Sequence, residues 1–118
     1  MEGSGDPSKP VQSKLRVRVT TLDDEFPTQR VDLIKVDVEG FEEKVLRGGT
    51  RLLKDPSRAP RALYIEVHPF AWKDVRTGSD SLLRLLRDCG YQVTTLEGQP
   101  VDFIDSYGEI VAEKPHSP

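Results

Sequence analysis

At 118 residues, 36% of them hydrophobic and 31% charged, the chain suits one small domain with a modest core, since a length of this order buries only about two-thirds of its unfolded surface. Its 17 basic and 20 acidic side chains leave a formal net charge of −3, so no electrostatic pull toward nucleic acid is implied. The single cysteine, Cys89, excludes an internal disulfide and an all-cysteine metal site, and no apolar run reaches the roughly 18 residues of a membrane helix.

Residues 1–14 are Gly, Ser, Pro and charge, and read as a disordered leader. The start "MEGSGDPSKP" lacks the basic and apolar regions of a secretory signal, so a soluble cytoplasmic chain with neither membrane nor nucleic acid as partner is expected. "LRVRVTTLDD" alternates, with Leu15, Val17 and Val19 on one face and Arg16 and Arg18 on the other, which predicts a half-buried strand near an edge. Asp23, Asp24 and Pro27 then form a turn or a short helical piece. Val31–Val38 predicts the second strand, released by Gly40 into a helix on which Phe41, Val45, Leu46, Leu52 and Leu53 recur at helical spacing. Glu43 precedes Arg47 by four residues, the favourable order for that pair. Gly48-Gly49 implies either a close backbone approach or an early helix end, because each glycine costs a helix about 1 kcal/mol.

"ALYIEVHP" predicts the third strand, with Leu63, Ile65 and Val67 opposite Tyr64, Glu66 and His68. "FAWKDVRTG" reads as a loop whose Phe70 and Trp72 serve packing. Ser79 or Asp80 can cap a helix with Leu82, Leu83, Leu85, Leu86 and Cys89 as its apolar stripe and Gly90 at its end. "YQVTTL" is a fourth strand, "EGQP" a turn, "VDFI" a short extended piece and "GEIVAEKP" a last strand, with 116–118 as a tail. This alternation predicts an α/β sheet in a three-layer sandwich or part of one, mostly parallel, with one of the last two strands reversed.

Chemistry concentrates where the second and third strands end. A crossover connection commonly makes such strands parallel neighbours, so Asp37 and Glu39 would meet Glu66 and His68 at the carboxyl rim, where open α/β sheets bind ligands. Three carboxylates and an imidazole can supply a general base or hold a divalent cation. The same alternation also fits a solvated, ion-paired sheet face. No phosphate loop or nucleophile elbow is present, since "GSG" follows no strand.

"TTLDD", "VDLIKVDVEGFEEKVLRGG", "LYIEVHP" and a Leu-rich helix ending in "CGY" occur in this order over residues 15–115. They resemble the FkbM family of S-adenosylmethionine-dependent methyltransferases. The resemblance implies a Rossmann-like sandwich with the last two strands as its reversed edge pair, and methyl transfer to a hydroxyl on a small-molecule substrate. It also implies Asp37, Glu39, Glu66 and His68 as catalytic residues, with Asp37 or His68 as base, Glu39 and Glu66 positioning the substrate or helping to hold a cation, and no metal assigned. The family's strand-one turn and the acidic residue after strand two, which seat the cofactor, have no counterpart in residues 1–14, so a partial domain is expected, with cofactor-binding residues unassigned. Its open strand edge then invites self-association or a partner chain. The alternative is a catalytically inactive α/β module that acts only through such a partner.

Overall fold

A computed structural model describes residues 15–75 and 78–115; the predicted leader and tail lie outside them. After an irregular start come α1 (Leu22–Glu25), β1 (Leu33–Val36), α2 (Glu42–Arg47), α3 (Thr50–Lys54) and β2 (Ala62–Val67). A 3-10 turn (Pro69–Ala71), α4 (Trp72–Val75), α5 (Ser79–Asp88), β3 (Gln92–Thr95) and β4 (Gly108–Glu113) follow. The four strands form one mixed sheet in the order β1-β2-β4-β3. β1 and β2 are parallel, with Leu33 opposite Ala62 and Val36 opposite Ile65, as the crossover connection predicts. β4 runs antiparallel to both β2 and β3.

Strand alternation places Ile34, Val36, Leu63, Ile65, Val67, Ile110, Ala112 and Val93 on one face, where they meet Leu46, Leu53 and the α5 leucines in the core. The pair α2 and α5 packs together over β2 and β3. On the other face Leu33 and Tyr64 are 55% and 38% exposed. Among the described residues the sandwich therefore has two layers, where three layers or a part of them are expected. The reversed strand is also not at the edge. Ile110, Val111 and Ala112 of β4 are all buried, whereas β3 exposes Gln92 and half-exposes Thr94 and Thr95. The more apolar strand takes the position with neighbours on both sides.

Other expectations change for tertiary reasons. Leu15–Val19 forms no strand and is exposed, Val19 by 90%, because alternation makes a strand only where a neighbour completes the hydrogen-bond ladder. The predicted single helix breaks at Gly48-Gly49 into α2 and α3. A Cβ on Gly49 would lie 2.9 Å from Leu22 Cδ1, so both readings of the glycine pair hold. α1 is tied to this break, since the Asp23 carboxylate accepts from the backbone N–H groups of Arg51 and Leu52 at 3.0 and 2.9 Å. The Glu43–Arg47 pair forms at 2.9 Å. Gly78, not Ser79 or Asp80, is the α5 cap residue, and Ser79 Oγ instead accepts from Ile104 N–H at 2.8 Å. Residues 101–104 form no strand, although Val101 and Ile104 reach the core. Trp72 packs inside, but Phe70 is exposed.

The end of α3 carries an acid-sensitive lock. Asp55 accepts from Ser57 N–H, Ser57 Oγ–H and Arg58 Nε–H at 2.8–2.9 Å, which draws its carboxyl from 3.8 down to about 2. Because the folded value lies below the unfolded one, its contribution is present above about pH 4 and disappears as pH falls through about 2. Asp55→Asn should flatten the acid limb of the stability curve in that window, measured by thermal unfolding at a series of pH values.

Candidate active site

Parity decides which face the rim presents. Asp37 continues β1 on the Leu33–Lys35 face, and Glu66 and His68 continue β2 on the Tyr64 face, the same open side of the sheet. Since the two strands are parallel and adjacent, all three residues arrive at one rim. His68 Nε2 lies 3.7 Å from Asp37 Oδ1 and 3.8 Å from Glu66 Oε1, and one donor atom from each residue falls within 4.8 Å of the others. His68 is buried, Glu66 is partly buried and Asp37 is exposed. The Glu66 carboxyl is pushed above its usual range, first by partial burial and then by the facing Asp37 carboxylate, with His68 opposing the shift.

Of the four predicted residues, Glu39 stays outside this group. It has φ +47, and with Gly40 at φ +107 it turns the chain away from the strand, so its carboxylate is exposed and does not join the other three. Gly40 is required there, because a Cβ would sit 2.6 Å from Ala71 Cβ. This contact seats the strand end against the turn that follows His68.

The residue missed by sequence reasoning is Glu42, at the start of α2 and fully buried. Its carboxylate accepts from Gly40 N–H at 2.5 Å, His68 N–H at 3.0 Å and Trp72 Nε1–H at 3.1 Å. Its Oε2 lies 3.5 Å behind His68 Nδ1, a buried nitrogen that makes no hydrogen bond among the described residues. A signal was present: Glu42 stands four residues before Leu46, on the buried stripe of its own helix, where a carboxylate needs partners. Tyr107 offered no local signal. Its hydroxyl donates to Glu66 Oε1, and its ring meets His68 edge-on at 5.3 Å, as that of Phe70 does at 5.8 Å.

The arrangement joins a hydrogen-bond acceptor set to a buried imidazole, a pairing suited to proton removal from a bound group. Comparison with known proteins agrees with a transferase. The model of a protein family described as "Methyltransferase FkbM domain" matches residues 3–93. The chain belongs to the FkbM methyltransferase family. No curated protein and no solved structure gives a significant match. In this FkbM domain the matched stretch contains β1, β2 and all five helices, and thus the Asp37–Glu66–His68 rim with Glu42 behind it; β4 and Tyr107 lie beyond it. Among the described residues of the FkbM chain, no helix is long and apolar enough to cross a membrane.

Proposed function

We propose that the chain serves the acceptor side of an S-adenosylmethionine-dependent methyl transfer to the hydroxyl of a small molecule. Membership of a methyltransferase family supports this reading, and so does one observation above the others: a buried imidazole faces two carboxylates at the rim of parallel strands. The rim residues act on the acceptor. A hydroxyl donating to Asp37 or to Glu66 would place its oxygen beside His68 Nε2. His68 or Asp37 takes the proton, as the oxygen becomes nucleophilic, and Glu42 holds the imidazole from behind. Tyr107 steadies Glu66, and Glu39 stands outside the proton path.

Transfer from labelled S-adenosylmethionine to a panel of hydroxyl-bearing acceptors, with the substitutions placed in a complete enzyme of the family, tests the roles. His68→Ala and Asp37→Asn should each reduce turnover by about a hundredfold. Wild-type rates in both variants would remove the rim from the chemistry.

A further inference from the structure

We propose that Asp37, Glu66 and His68 form a binding site for one divalent transition-metal ion of the Mn²⁺ or Zn²⁺ class. Three observations converge on it. The three donor atoms lie within 4.8 Å of one another, while Nε2 stands 3.7 and 3.8 Å from the two carboxylates, beyond hydrogen-bond range. Bonds of about 2.0–2.2 Å would draw the donors to about 3–3.5 Å apart, a closure that the exposed Asp37 side chain can supply. The second observation is the imidazole itself. Its side chain is only 6% exposed, its Nδ1 makes no hydrogen bond among the described residues, and Nε2 stands between the Asp37 and Glu66 carboxylate oxygens. With no proton or cation between them, the nitrogen lone pair would face like charge.

The third observation is the support behind two of the ligands. A histidine ligand commonly turns its other nitrogen to a carboxylate, and ligating carboxylates are themselves hydrogen-bonded. Here Glu42 Oε2 lies 3.5 Å behind Nδ1, and the Tyr107 hydroxyl donates to Glu66. Two oxygens and one imidazole nitrogen suit Mn²⁺ and Zn²⁺ better than Ca²⁺, which takes oxygen alone, or Cu⁺, which favours sulfur. Three protein ligands leave coordination positions open toward the exposed side. The site rests on the preceding reading only for the location of the acceptor. With an ion held by Asp37, Glu66 and His68, Nε2 would serve as a ligand, and an Asp37 oxygen not engaged by the ion would be the proton acceptor.

The test is titration of the full chain with MnCl₂ at neutral pH, without substrate, following the free-ion paramagnetic resonance signal and the heat of binding. One ion per chain is expected, with affinity reduced at least tenfold by Asp37→Asn or Glu66→Gln and unchanged by Glu39→Gln. Binding should also broaden the His68 ring resonances. Absence of saturable binding overturns the site, as does equal weakening by Glu39→Gln and Asp37→Asn, which would mean diffuse attraction to an acidic rim. Because no substrate is present, a silent transferase assay leaves this result untouched, and a failed titration leaves His68 as the free base.

Discussion

Glu42→Ala should lose about 3–5 kcal/mol of folding stability, the range for removing one partner from a buried charged network. A domain of this size has only about 5–15 kcal/mol in total, so the variant would be largely unfolded near its growth temperature or in low urea. The cause is the number of donors left behind. The side chain is fully buried, and its two oxygens accept from Gly40, His68 and Trp72. Truncation strands all three N–H groups, each costing about 1–3 kcal/mol when buried without a partner. Glu42→Gln separates this cost from simple loss of volume. Its amide oxygen can still accept from His68 and Trp72, but its NH₂ would face the Gly40 N–H, so about 1–3 kcal/mol should go. Urea denaturation of both variants gives the comparison. An alanine variant as stable as wild type would mean that this carboxylate does not hold the strand end, the turn and the indole together.

Gly40→Ala should be the other severe substitution, costing about 2–5 kcal/mol by the sum of left-handed backbone strain and overpacking. The residue sits at φ +107, and the added Cβ would come within 2.6 Å of Ala71 Cβ. Neither atom can rotate away, because both are fixed to backbone. Gly98 separates the two causes: it has φ +89 but nothing within 4 Å of an added Cβ. Gly98→Ala should therefore pay for strain alone, about 1–2 kcal/mol. Relief of the Gly40 clash would move Ala71 and with it the turn after His68, so the His68 ring resonances should shift in Gly40→Ala and stay in place in Gly98→Ala. Equal destabilisation of the two variants would show that the contact with Ala71 is not close.

The fate of individual residues shows where sequence reasoning stops. The alternation in "ALYIEVHP" sufficed to place Leu63, Ile65 and Val67 inside and to send Glu66 and His68 to the other face, because side-chain direction in a strand depends only on parity. The same rule failed for Leu15–Val19. Parity says where side chains would point in a strand, but a strand exists only where a second one supplies its hydrogen bonds. Phe70 and Trp72 carry the same local signal, yet one is exposed and the other buried. Their difference depends on where Glu42 stands, since it is the indole N–H that finds the carboxylate.

The two parallel strands of the rim, the apolar stripe of α5, the family, and the meeting of Asp37, Glu66 and His68 are legible in the residue order. Each follows from local periodicity, from motif order or from the geometry of a crossover connection. That Glu39 leaves this group, that Glu42 enters behind it, and that Tyr107 closes on Glu66 depends on packing between distant segments. Glu42 reaches His68 and Trp72 across 26 and 30 residues of chain, and Tyr107 reaches Glu66 across 41. Periodicity orients a side chain relative to its own element, whereas burial and hydrogen-bond partners are set by whatever distant segment packs against it.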